Sequence, residues 1–160
     1  MLLLGHIGLT TLASSLLYLS IIGGVIGVLL PDIIDKGLFV LGYAPCGKFI
    51  AHSIFFFPVA GAVSYIITRN KKFAVAVALG AFLHLLQDIH NDVPFLYPLK
   101  DYAFFETCDA VKISFSPYVI ATEAIGGVLL IFIGVFHKQF ESIRNAVWSR
   151  LKKIGIVRKW

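Results

Sequence analysis

The chain has 160 residues, room for one compact domain, with 58% hydrophobic residues, 14% charged residues and a formal net charge of +5. Together with a mean hydropathy of +0.86, this composition excludes an ordinary soluble domain, because water is the wrong solvent for so apolar a surface. Much of the positive excess sits between Lys138 and Lys159, beside an apolar segment. That placement argues for anionic lipid headgroups as partner and against nucleic acid.

Uncharged runs of about twenty residues, the length that crosses a bilayer core, recur along the chain. The first extends from Ile7 to Leu30 without any charge. It follows no basic n-region and is longer than the apolar part of a cleavable signal, so the N-terminus reads as retained and structural. Gly23, Gly24 and Gly27 weaken its second half as a continuous helix, which leaves one span or a short hairpin. Pro31 closes the run, and Pro31 to Gly37 reads as a turn or helix end at the membrane boundary. A second apolar segment, Phe49 to Thr68, stops at the cationic loop Arg69 to Lys72; a third, Phe73 to Leu86, completes a tight hairpin. Residues 89–117 are too polar for hydrocarbon and too aromatic for a disordered linker, which predicts a folded cap or re-entrant loop. A fourth span, Tyr118 to Phe136, is interrupted by Glu123 alone. Phe140, Ile143, Val147, Leu151 and Ile154 then recur at helical spacing among basic residues, as expected of a helix lying on the membrane surface.

The expected fold is therefore all-α: an integral membrane bundle of four to five spanning or half-spanning helices over residues 1–137, and a basic amphipathic surface tail over 138–160. The two cationic clusters favour the cytoplasm. They place Asp32, His84 and Asp88 towards the extracytoplasmic face of the cell membrane. Cys46 and Cys108 lack the CxxC spacing of a zinc or redox motif and read as two free thiols.

Ionisable residues within apolar segments are expensive and usually functional. His6, Asp32 with Asp35, His52, His84 with Asp88, and Glu123 are the candidates. The i, i+4 spacing of His84 and Asp88 puts both side chains on one helical face, one turn apart, where they can reach a common ion. In the hairpin, His52 and His84 fall at similar depth. Imidazole and carboxylate suit zinc, manganese or iron, and a divalent cation relieves the repulsion between close carboxylates. His6 is either a further ligand or an interfacial histidine. On one straight helix it would stand roughly 39 Å from Asp32 at 1.5 Å per residue; a reversal near Ser20 to Gly24 would bring the two together. Asp92 and Glu106 read as solvated loop carboxylates, Tyr97, Tyr102 and Phe104 as an interfacial belt, and Lys48 and Lys100 as phosphate contacts or snorkelling anchors.

The stretches Gly5-His6-Ile7-Gly8, Leu30-Pro31-Asp32-Ile33-Ile34-Asp35-Lys36, Ala51-His52-Ser53 and Leu83-His84-Leu85-Leu86-Gln87-Asp88, with Phe95 to Leu99 after them, resemble the membrane-bound metal-dependent hydrolase family. That family is distantly similar to the all-helical zinc-dependent phospholipases C and related nucleases. The resemblance implies that His6, Asp32, His52, His84 and Asp88 are metal ligands, that Asp35 is a further ligand or a partner behind one, and that Glu123 is a late carboxylate ligand. Many members carry an extra histidine and arginine before the motif histidine. Here Gly47 to Ala51 offers only Lys48, so their second and third ions are not carried over.

The expected activity is hydrolysis of a phosphate ester or lipid-borne substrate by water activated on a divalent metal, zinc first, with Asp32 or Asp35 orienting that water or taking its proton. Two alternatives stand beside it. One is a non-catalytic membrane adaptor with a structural metal; the other is a redox protein with His52 and His84 on a haem.

Overall fold

The computed structural model describes residues 3–89, 92–108 and 116–154. Residues 90–91 and 109–115 of the expected cap and 155–160 of the expected tail lie outside the described residues. Among the described residues six α-helices carry the fold: α1 (Leu3–Leu16), α2 (Ile21–Val40), α3 (Phe56–Thr68), α4 (Lys71–Gln87), α5 (Pro117–Val135) and α6 (His137–Lys153). No strand occurs among the described residues.

The first apolar run is a hairpin. α1 ends at Leu16, Tyr18 takes a left-handed backbone (φ 55°), and Ser20 caps α2 by accepting from the Gly23 N–H at 3.1 Å. The reversal thus falls at residues 17–20, just before the glycines. The expected break at Pro31 does not occur. Pro31 is buried inside α2, which runs on to Val40 and carries Asp32 and Asp35 on helix rather than in a turn. Proline leaves the Gly27 carbonyl without its helical donor. Glycine at 27 lets the backbone of α4 approach at that point instead: a Cβ there would lie 2.1 Å from the Val77 carbonyl oxygen.

α3 and α4 form the expected second hairpin. It turns at Arg69 (φ 54°), and Asn70 caps α4 by accepting from the Phe73 N–H. α3 begins only at Phe56, so His52 lies before it, in a short 3-10 turn, Ile50–His52. α4 packs between α2 and α3, while α5 packs on α1. One end of this bundle gathers the 17–20 turn, the basic 69–72 loop and α6. There Arg144 donates to the Ser15 carbonyl at 3.2 Å and lies over the Tyr18 ring. Trp148 Nε1–H donates to the Leu16 carbonyl at 2.7 Å. Trp148 thus satisfies a carbonyl at the C-terminus of α1, and Arg144 adds a second donor to the Ser15 carbonyl, which also accepts from the Tyr18 N–H, at a helix end where a cation is favoured.

The other end is closed by the loop after α2 and by residues 92–108. Phe49, Tyr97 and Phe105 pack their rings together, and the Ile54 N–H donates to the Phe95 carbonyl at 2.9 Å. Cys46 and Cys108 form a disulfide with a Cα–Cα distance of 5.7 Å, within the range such a bond requires. The reading of two free thiols is corrected. Residues 62 apart in sequence meet because the cap folds back over the α2–α3 loop.

Polarity is inverted relative to a soluble bundle. His6, Thr10, Ser14, Asp35, His52, His84 and Asp88 are buried, whereas Ile22, Ile33, Ile66, Ile67, Val128, Ile131 and Val135 are each more than 60% exposed. Water would penalise that surface, but lipid tails accept it, and small residues then let helices approach closely. Of the four to five spanning or half-spanning helices expected, α5 alone among the described helices meets both the length and the apolarity of a full span; α1 and α3 are shorter apolar helices.

The α1–α5 crossing is the tightest test of this packing. A Cβ on Gly126 would lie 2.2 Å from the Leu4 carbonyl oxygen, and one on Gly8 would lie 2.4 Å from the Gly126 carbonyl oxygen. Backbone atoms cannot rotate away. Gly126→Val is therefore expected to force the helices apart and destabilise the detergent-solubilised protein by about 3 kcal/mol, the upper part of the overpacking range. Unchanged thermal melting would refute this crossing.

Candidate metal centre

The centre forms where α1, α2, α4 and the 3-10 turn meet beneath the cap. His84, in the last turn of α4, is essentially buried, and its Nδ1 lies 2.7 Å from the Val28 carbonyl oxygen. A carbonyl can only accept, so Nδ1 carries the proton and Nε2 keeps a lone pair. His52 Nδ1 lies 2.7 Å from Asp35 Oδ2, which assigns its tautomer in the same way. The two Nε2 atoms stand 3.1 Å apart, with ring planes at 73°. Asp32 Oδ1 lies 3.7 Å from His52 Nε2 and 3.9 Å from His84 Nε2.

With Nδ1 of each ring committed, the two Nε2 atoms converge beside the Asp32 carboxylate, and a cation placed there would accept lone pairs from both. Two nitrogens on one tetrahedral zinc at about 2.05 Å lie about 3.3 Å apart, close to the separation here. The donor set of two histidines and one carboxylate also suits iron or manganese. The residues therefore fit a divalent ion.

Asp35 is fully buried and does not face the other ligand atoms. Its carboxylate accepts from the backbone N–H groups of Phe49, Ala51 and His52 at 2.6, 2.9 and 3.1 Å, besides the His52 ring. It anchors the α2–α3 loop and sets the orientation of His52, as carboxylates behind ligating histidines do. The catalytic-base role expected of Asp35 does not match this saturation, whereas Asp32, 30% exposed at its side chain, keeps access to solvent.

His6, from α1, stacks on His84 with ring centroids 4.3 Å apart and planes at 13°, and its Nε2 is 3.5 Å from Asp88 Oδ1. His6, His84 and Asp88 form one group of ligand atoms; Asp32, His52 and His84 form a second, and within each group the atoms lie within 4.8 Å of one another. The structure thus gathers five of the six expected ligands. Each outer carboxylate also meets an ammonium: Lys36 Nζ is 2.7 Å from Asp32 Oδ2, and Lys48 Nζ is 2.7 Å from Asp88 Oδ2.

The sixth, Glu123, is elsewhere. Both its carboxylate oxygens accept from the start of α1, from the Leu4 N–H at 2.8 Å and the Gly5 N–H at 3.0 Å. α1 has no acidic residue in its own first turn, so α5 supplies the negative charge that a helix N-terminus favours. Glu123 is a cap supplied by another helix. The Asp32–Lys36 pair went unread in the sequence although its i, i+4 spacing signals it. The Val28 carbonyl carries no signal at all.

An all-helical chain with an apolar exterior, a polar interior and a spanning-length helix belongs to the class of membrane proteins. More particularly, the chain belongs to the YdjM inner membrane protein family, whose model matches residues 1–153. No curated protein and no solved structure matches it.

Proposed function

We propose that this inner membrane protein is a metal-dependent hydrolase that acts on a phosphate ester or other lipid-borne ester. The observation that carries the reading is the pair of facing Nε2 atoms of His52 and His84, 3.1 Å apart with a carboxylate beside them. A bound divalent ion supplies a Lewis acid, which lowers the pKa of water and offsets charge that develops on an ester oxygen. The chain does the positioning. Asp35 and the Val28 carbonyl hold the two imidazoles in ligating tautomers, and Asp32, the most solvent-accessible of the grouped ligands, orients the attacking water and takes its proton. A haem fits less well, since its axial nitrogens stand on opposite faces of the ring and 3.1 Å leaves no room between them.

Depth supports a lipid-borne substrate. Glu123 lies six residues into α5, about 9 Å from the Pro117 end at 1.5 Å per residue, and it bonds to the residue next to His6. With the Pro117 end of α5 at the membrane boundary, that distance supports a site level with the outer third of a hydrocarbon core about 30 Å thick. The disulfide at the capped end favours an oxidising compartment, and the basic 69–72 loop and α6 at the opposite end favour the cytoplasm. Both support a reading in which the centre faces the extracytoplasmic side and the tail beyond Lys138 lies on the cytoplasmic surface.

The test is elemental analysis of the wild-type protein purified in detergent, followed by a phosphoester screen of the loaded sample. Stoichiometric zinc, manganese or iron with metal-dependent phosphate release is expected. A protein that stays metal-free after reconstitution is not a hydrolase of this type.

A further inference from the structure

We propose that the centre holds one divalent ion, in the Asp32–His52–His84 group, and that His6 and Lys48, gathered by Asp88, form beside it a subsite for the oxygens of a phosphoryl group. This deepens, and rests on, the metal-dependent reading above. His84 belongs to both groups of ligand atoms, but its Nδ1 is committed to the Val28 carbonyl. One lone pair, on Nε2, remains to be shared between two sites.

Ring orientation decides between them. The His52 and His84 planes cross at 73°, so their in-plane lone pairs can converge on one point. His6 and His84 are stacked within 13° of parallel. An ion in the plane of one ring then stands off the plane of the other by the stacking separation, where imidazole has no lone pair to give. His6 is therefore a poor partner for His84 on a common ion. At Asp88 the place of a second cation is already taken, because the Lys48 ammonium lies 2.7 Å from Oδ2 with its side chain three-quarters buried.

What His6 lacks is a hydrogen-bond partner. It is 3% exposed, and neither ring nitrogen has one; the 3.5 Å separation from Asp88 is too long to supply it. A buried imidazole left this way costs free energy until a ligand fills the gap. Charge states what kind of ligand. Lys36 and Lys48 already offset two of the three carboxylates Asp32, Asp35 and Asp88, so adding a divalent ion leaves a positive balance. A phosphoryl group offers several acceptor oxygens to an ammonium, an imidazole N–H and the ion together. A phospholipid headgroup and free phosphate share this chemistry.

Cobalt(II) substitution reads both halves of the proposal, because the visible bands of cobalt report its ligands. The wild type is expected to bind one equivalent, His52→Ala to lose it, and His6→Ala to keep it; His6→Asn serves if the alanine variant does not fold. Inorganic phosphate should shift the wild-type bands, and in Lys48→Gln the same shift should need at least about ten times more phosphate at unchanged cobalt content, as for loss of one charged hydrogen bond. Phosphatidic acid in mixed micelles, if it acts at far lower concentration than inorganic phosphate, identifies the lipid as the source; the reverse order identifies a soluble phosphate. Two equivalents in the wild type, or loss of cobalt from folded His6 variants, would overturn the single-ion assignment. A wild type blind to both phosphates, or an equal response in Lys48→Gln, would overturn the anion subsite. Absence of any cobalt in the wild type would instead sink the metal reading itself.

Discussion

His84→Ala is expected to abolish metal retention, with affinity lower by well over 100-fold. Even the loss of a group behind a ligand costs 10- to 100-fold in metal affinity, and His84 is the one residue common to both sets of ligand atoms. The fold should survive. Truncation removes the buried ring but leaves the Gly27 and Gly80 contacts that bring α2 and α4 together. The informative experiment pairs metal content with thermal melting of the same sample. Metal lost at near-wild-type melting separates a ligand from a merely structural histidine; full occupancy in the variant would remove His84 from the centre.

Asp35→Ala should be the most damaging single change to the site's support. Four donors converge on this carboxylate: three backbone N–H groups and the His52 ring N–H. Each buried donor left without a partner costs about 1–3 kcal/mol, so the loss is on the order of 4 kcal/mol or more even after partial relaxation. That is a large share of a typical folding free energy of about 5–15 kcal/mol. The expected result is a markedly lower melting temperature, a protease-sensitive α2–α3 loop and loss of metal. Asp35→Asn keeps the shape and one acceptor oxygen. It should fold better and still bind metal about 10- to 100-fold more weakly, because the amide nitrogen no longer holds His52 in its ligating tautomer. If both variants matched the wild type in melting and metal affinity, the anchoring role would be wrong.

How much of the candidate site was legible follows from the range over which each signal acts. His84 and Asp88 could be paired on paper because a helical turn brings i and i+4 together wherever the helix sits. His52 was placed at the right depth by the hairpin argument, although it lies in a 3-10 turn before α3 rather than on it. For Asp35 the sequence leaves two roles open, a further ligand or a partner behind one, and only the fold separates it from Asp32. Their three-residue spacing, once α2 runs through Pro31, gives them different environments, one side chain 30% exposed and the other buried. Glu123 was misread because an acid within an apolar span signals only that some partner exists. The partner was the N-terminus of α1, more than a hundred residues away.

The sequence by itself determined the solvent and the chemical vocabulary of this protein: its apolar exterior, the α3–α4 hairpin with its basic turn, the basic final helix, and the ligand types at the capped end. These depend on composition and on helical period, which are local and survive any packing. Only the tertiary structure decided that the first run reverses at residues 17–20, that α2 passes through Pro31, that Cys46 meets Cys108, and that the imidazoles of His52 and His84 face one another while His6 stacks alongside. All of those depend on contacts between segments rather than within one, and the helix packing among them depends on close backbone approach. That approach is set by where glycine leaves space for a neighbouring carbonyl, which no spacing within one segment can express.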